Sequence, residues 1–372
     1  MKIPVLLFIT VGAAISIASC RKSSDTPDTE EGNWVKRGQF DGPARTGAVS
    51  FVINDTAYVG TGYNYTKNTS YIVDSTGDIL ANADHYLKDF FKLNMPPVST
   101  GNSQTGYTWT QVAAMPGNTH RAYGVGFSVN NVGYVGLGQT SNDILLKDFY
   151  AFDGYTWSKK KDFPGSARRD AVGFGLGMNG YITTGFDGAN TQKDMYQYFP
   201  GDDHWEKITA LSGEKRRGAS VFVYKDKAYI FGGYSSLNAV TDMWAFDSLT
   251  LTWKVRNSIA NESSDSYDDD YSDIVRQNAS AFVIDNYGYV TNGHSSSEAS
   301  LVRSTWRYDF ENDRWTRRTP FEYVQRTYAV GFTVRNRGFV GAGQNGAIAY
   351  SASTYLEDFY EFIPSQTYDS HD

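Results

Sequence analysis

At 372 residues, with 40% hydrophobic and 20% charged residues, 36 Gly, 27 Tyr, 22 Phe and 8 Trp, the chain reads as aromatic-rich, globular and built of short strands and turns; a disordered chain is excluded. Its 34 Lys+Arg against 41 Asp+Glu give a formal charge of −7, which lacks the basic footprint that non-specific nucleic-acid binding needs. One cysteine, Cys20, excludes an intramolecular disulfide, a Cys-based zinc site and an iron–sulfur cluster.

The first element is an export signal. Residues 1–19 carry one cation, a short apolar core and small residues before Cys20. Ile17-Ala18-Ser19-Cys20 resembles a bacterial lipobox, in which the cysteine thiol receives diacylglycerol. Cys20 is therefore the expected lipidation site and the mature N-terminus. Residues 20–32 follow as a polar tether without periodicity. No later stretch reaches about 18 uninterrupted apolar residues, so the lipid is the expected membrane contact. The expected location is the bacterial cell envelope, on the outer membrane, facing the periplasm or the surface. The folded domain is expected over 33–363, with a C-terminal tail over 364–372.

From Trp34 onward the sequence keeps a ruler. Trp109, Trp157, Trp205 and Trp253 are each 48 residues apart, and equal spacing means repeats. Six short apolar runs end in a glycine, at Gly62, Gly138, Gly185, Gly233, Gly293 and Gly343, each with an aromatic residue four positions earlier. Seventeen residues before each glycine stands an arginine: Arg45, Arg121, Arg168, Arg216, Arg276 and Arg326. An acidic-aromatic strand follows the glycine (Asp89-Phe90-Phe91, Asp148-Phe149-Tyr150, Asp194-Met195-Tyr196, Asp242-Met243-Trp244, Asp358-Phe359-Tyr360), with Ser304-Thr305-Trp306 the one departure. Each unit reads as four antiparallel strands, rich in β-branched and aromatic residues and punctuated by turns such as Asn54-Asp55. One such sheet cannot bury both faces alone, which implies radial packing into an all-β, six-bladed β-propeller. The last unit lacks its Trp and Trp34 precedes the first arginine, so the N-terminal Trp34 strand is expected to close the last blade.

These residues resemble the kelch repeat, which runs from an Arg through a glycine-terminated strand to an aromatic and a Trp. The resemblance covers 34–362; only Gly232-Gly233 is a true diglycine, and the fifth unit lacks its Asp. Strand alternation places the six arginines and the residues after the six glycines (Tyr63, Gln139, Phe186, Tyr234, His294 and Gln344) on one face, together with insertions over 64–88, 257–275 and 295–303. The arginines could form an anion trap or could hold the ring together. His120, Arg169, Arg217 and His294 break the repeat, so a specific ligand is expected to be read by them. Tyr267, Tyr271, Tyr63, Tyr65 and Tyr71 could stack on sugar rings or on a protein. The acidic stretch 265–273 offers a weak calcium candidate in Asp268, Asp270 and Asp273; it lacks the pattern of an EF-hand.

Two enzyme families share this layout. Resemblance to galactose oxidase would imply copper and a Tyr–Cys crosslink, which a chain whose sole cysteine is the lipid acceptor cannot make. Resemblance to the periplasmic N-acetylneuraminate epimerases implies sugar-acid mutarotation, for which the arginine face and Glu214 or His120 are conceivable parts. With no catalytic triad, metal cluster or phosphate loop evident, the leading expectation is a monomeric, cofactor-free binding module for a glycan or protein partner, and sugar-acid mutarotation is the alternative. A deep central pocket with a desolvated Glu or His beside several Arg would favour the alternative.

Overall fold

A computed structural model describes residues 31–64, 85–96, 106–295, 300–346 and 354–369. Cys20, Tyr65 and Tyr71 lie outside them. Six four-stranded antiparallel sheets are arranged so that their six first strands pack on one another in a closed cycle. This is the expected six-bladed propeller.

The third blade shows how the sequence builds one unit. Val172–Leu176 alternates buried and half-buried residues beside the axis and turns into Asn179–Thr183, which is buried along nearly its whole length between neighbouring blades. Met195–Phe199 follows, then the outer strand His204–Ile208, whose residues are half-buried or exposed. Burial thus falls from second strand to fourth, which is why aromatic and β-branched residues concentrate in the inner strands. The hairpin at Asn54-Asp55 has positive φ at both residues (46° and 54°), the geometry that matches strand twist and that Asn and Asp tolerate.

The 48-residue tryptophan interval has a bonding reason. Trp157, Trp205 and Trp253 each donate their indole N–H to the carbonyl oxygen 44 residues earlier, Ala113, Lys161 and Thr209, in the exit from the preceding blade. Each outer strand is thereby pinned to the blade before it.

Ring closure reuses this bond. The sixth sheet runs Val330–Val334, Arg337–Gly341, Asp358–Thr367 and then Glu31–Gln39, with Trp34 opposite Phe362. The closing strand begins at Glu31 and its partner runs on to Thr367, so pairing extends beyond 33–363 at both ends. Trp34 Nε1 donates to the carbonyl of Thr319, in the exit from blade five, at 3.3 Å. Its ring is fully buried against Phe282, Phe321 and Phe362, with centroids 4.9–6.2 Å away. Trp34→Ala is therefore expected to cost about 3–5 kcal/mol, read as a lower denaturant midpoint; a loss below about 1 kcal/mol would mean that the closing strand is dispensable.

Candidate functional site

The six repeating arginines do not form an anion trap. Arg45, Arg121, Arg168, Arg216 and Arg326 are 0% exposed and Arg276 is 1% exposed. Each guanidinium reaches the carbonyl sixteen residues on, and five of them bind the acid that opens the third strand of their own blade: Asp89, Asp148, Asp194, Asp242 and Asp358. They tie strands together, and their forks are used inside the blade. Blade five, which lacks the acid, substitutes the Ser304 hydroxyl at 2.6 Å and Asp273, whose carboxylate lies 3.6 Å from Arg276. Burial pushes the Arg276 guanidinium down to about 10, with Asp273 pulling the other way.

The calcium candidate dissolves for a related reason. Asp273 accepts the Trp306 indole N–H at 2.7 Å, and Asp268 is buried, accepting the backbone N–H groups of Glu262 and Ser263. Asp270 is exposed. Among the described residues no three His, Cys, Asp or Glu side chains gather into a metal-binding group. Tyr267 and Tyr271 are likewise framework: Tyr267 lies 3.6 Å under the Arg314 guanidinium, and buried Tyr271 accepts the Trp315 backbone N–H.

Chemistry converges two residues further along each repeat. Two positions after the six arginines stand Gly47, Tyr123, Asp170, Gly218, Asn278 and Tyr328. All six have φ between 53° and 62°. Their backbones form a closed circle of hydrogen bonds about the axis: each N–H donates to the carbonyl of the equivalent residue in the adjoining blade, at 2.8–3.2 Å. Glycine takes this left-handed conformation freely, whereas a tyrosine is strained there, and such strain gathers at functional sites. The circle rims a cavity of about 130 Å³, floored by the alanines and glycine that open the inner strands.

Side chains around the rim are unlike one another, and two of the expected residues meet there. Arg169 and Arg217 come from neighbouring blades and share the ring of Phe186, with guanidinium carbons 5.6 and 5.1 Å from its centroid. Arg169 bonds Asp170 at 2.6 Å. Asp170 is 9% exposed, and burial raises its carboxyl above the usual value although Arg169 and Arg217 both pull it down. Arg169 also lies 5.9 Å from the ring centroid of Tyr123, and Tyr123 and Tyr328 meet edge to face at 4.8 Å. Burial and nearby negative charge hold both phenols well above their usual range, so both carry their protons at neutral pH.

The other candidates take varied places. Gln139 and Tyr63 are buried beside this cluster, Gln139 donating to Tyr86 Oη at 2.9 Å and Tyr63 packing on Tyr86 and Tyr355. Gln344 is buried and donates to the Gly346 carbonyl. His294 meets Gln277 at 3.4 Å, Tyr234 donates to the Leu237 carbonyl, and His120 lies 3.2 Å from Asn118. Sequence reasoning missed Tyr123, Asp170 and Tyr328. The signal was present: aligned on the arginine, the second following position reads Gly, Tyr, Asp, Gly, Asn and Tyr, while the third is Ala in five of the six units.

Comparison with known proteins agrees with this architecture. The solved structure of YjhT superposes with a TM-score of 0.64 at 15% identity, covering 86% of this chain and 95% of that one, a likeness of fold. Among curated proteins, the N-acetylneuraminate epimerase of Pasteurella multocida is 32% identical over 119 residues, 30% of each chain. That of Vibrio cholerae is 28% identical over 152 residues, 39% of each chain. The matched segments thus span about a third of the length of these relatives. A family model, the Attractin/LZTR1 beta-propeller, matches residues 180–369, just over half of the 372 residues. Those residues run from the second strand of blade three through the third strand of blade six, and with that match the chain belongs to the Attractin/LZTR1 beta-propeller family.

Proposed function

We propose that the axial mouth takes a small sugar acid by its carboxylate and interconverts its anomers, in a protein held at the bacterial cell envelope through lipidated Cys20. The observation that carries this reading is Asp170, a desolvated carboxylate set between Arg169 and Arg217 at the rim of the axial cavity. Two arginines against one aspartate leave one positive charge, which a monoanionic ligand neutralises. Opening a pyranose at its anomeric carbon requires a base for the anomeric hydroxyl proton and an acid for the ring oxygen. Asp170 as a carboxylate supplies the first and a protonated phenol of Tyr123 or Tyr328 the second; closure on the opposite face returns both protons. The partial similarity to N-acetylneuraminate epimerases supports this reading.

Proton exchange NMR on N-acetylneuraminate, glucuronate and glucose tests it. Accelerated anomeric exchange of an acid, with glucose unaffected, is the expected result. Binding without faster exchange would leave a sugar-acid receptor, and silence for both acids would overturn the assignment. Arg217→Gln keeps the fold, since Arg217 is half-buried at the rim, and is expected to weaken acid binding by roughly 10–100-fold, the value of one charge-assisted contact. Unchanged affinity in that variant would remove Arg217 from the site.

A further inference from the structure

A cleft of about 570 Å³ opens on the same face between blades three and four, a volume within the roughly 300–1,000 Å³ of small-ligand sites. Its walls follow from the hairpins around the axial site. Phe186 pairs with Thr191 on one side and Arg217 with Tyr234 on the other, so the strands that carry the two axial guanidiniums lead outward to Thr191 and to the turn at Ser235. The cleft lies beside the axial cavity and shares no lining residue with it.

Its chemistry differs too. Its lining carries both signs of charge, Lys193 and Lys215 with Glu214 and Asp242. Asp242 is engaged by Arg216, and Lys193 donates to the Gly213 carbonyl at 3.2 Å. What remains is a wall rich in hydroxyls, including Thr191 and Ser236 at 3.3 Å from each other, facing one large aromatic surface, Trp244.

Trp244 is less covered than most of its equivalents for a reason visible in the repeat. In blades one, three and six the equivalent aromatic, Phe91, Tyr196 or Tyr360, is covered edge-on by a phenylalanine from the connection entering its blade: Phe40, Phe163 or Phe321, at 4.7–5.0 Å. Blade five covers Trp306 with Tyr271 at 5.9 Å. Blade two has Met115 in the covering position, and there Tyr150 is nonetheless buried. Blade four has Leu211, which is buried itself, and Trp244 stays half-buried; among the described residues no aromatic ring packs on it. Gly213 lies over the indole edge so closely that a Cβ there would come 2.4 Å from Nε1, leaving room for the ring only because the position is glycine.

We infer that this cleft is a second, independent saccharide site, holding a neutral pyranose with its C–H face on Trp244 and its hydroxyls against the Thr191, Ser235 and Ser236 wall. An uncharged polyol is the ligand class that an aromatic platform beside a row of hydroxyl donors recognises. The inference goes beyond the axial reading and does not depend on it.

The test uses the full chain and three neutral disaccharides as probes: maltose, lactose and N,N′-diacetylchitobiose. Saturation-transfer NMR is expected to mark the pyranose C–H protons of at least one. Trp244→Leu and Ser236→Trp, the latter an exposed position that narrows the cleft without touching the core, are each expected to weaken that binding by about tenfold or more, equivalent to roughly 1.4 kcal/mol. Sugar-acid binding at the axis should stay as in the parent protein. No transfer to any of the three probes, or affinity unchanged in the Ser236→Trp variant, overturns the inference. Because the probes carry no acid, this outcome is separate from success or failure at the axial cavity.

Discussion

Asp148→Ala should destabilise the protein by about 3 kcal/mol or more, whereas Asp162→Ala, one loop away, should change stability by less than about 1 kcal/mol. Both aspartates face a cation, but in opposite settings. Asp148 receives the Arg121 fork at 2.7 and 2.9 Å, with the arginine 0% exposed; Asp162 meets Lys159 at 3.5 Å with both side chains open to water. Removing Asp148 leaves a guanidinium inside the blade with only the Thr119 and Leu137 carbonyls, at 3.1 Å each. Desolvation of that uncompensated charge sets the loss, and the two remaining bonds keep it toward the lower end of the range for broken buried pairs. Denaturant titration of the two variants reads the difference directly. Equal stabilities would mean that the arginine ring contributes little to holding the blades, and would return those arginines to the list of ligand candidates.

That contrast also shows what the sequence could and could not express. Blade number, strand order and the closing role of Trp34 were legible because they rest on fixed intervals: an indole bond spanning 44 residues and an arginine seventeen residues before a glycine. The partner of each arginine was hidden although both residues had been noticed. Arg45 is 44 residues from Asp89, Arg121 is 27 from Asp148, Arg168 and Arg216 are 26 from theirs, and Arg326 is 32 from Asp358, because the hairpins between second and third strands differ in length. A ruler does not find a pair whose spacing varies. Without that pairing, six identical cations on one face leave an anion trap and a role in holding the ring together both open. The axial cluster was obscured in the opposite way: Tyr123, Asp170 and Tyr328 come from blades two, three and six and meet only when the ring closes. Their signal is a place where symmetry fails, and Arg169 and Arg217, noticed for that failure, are the two expected residues that the structure brings beside Asp170.

Asp170→Asn should lower the rate of anomeric exchange by about 10²–10⁴-fold, the usual contribution of a positioned general base. Asparagine keeps the shape and can still accept from Arg169, but it takes up no proton. Stability should not fall with it. A carboxyl whose value is raised by folding binds its proton more tightly in the folded chain than in the unfolded one, so ionisation works against folding as pH climbs through the unfolded value. An uncharged amide escapes that cost, and at neutral pH the variant should match or exceed the parent in Tm. The same shift fixes the pH profile. Exchange should rise with pH as Asp170 loses its proton, with a midpoint above the ordinary carboxylate range, and this limb should be missing from the residual rate of Asp170→Asn. A variant that loses activity and stability together would instead mark Asp170 as part of the axial framework. Retention of the full rate with an unaltered pH profile would show that another group takes the anomeric proton.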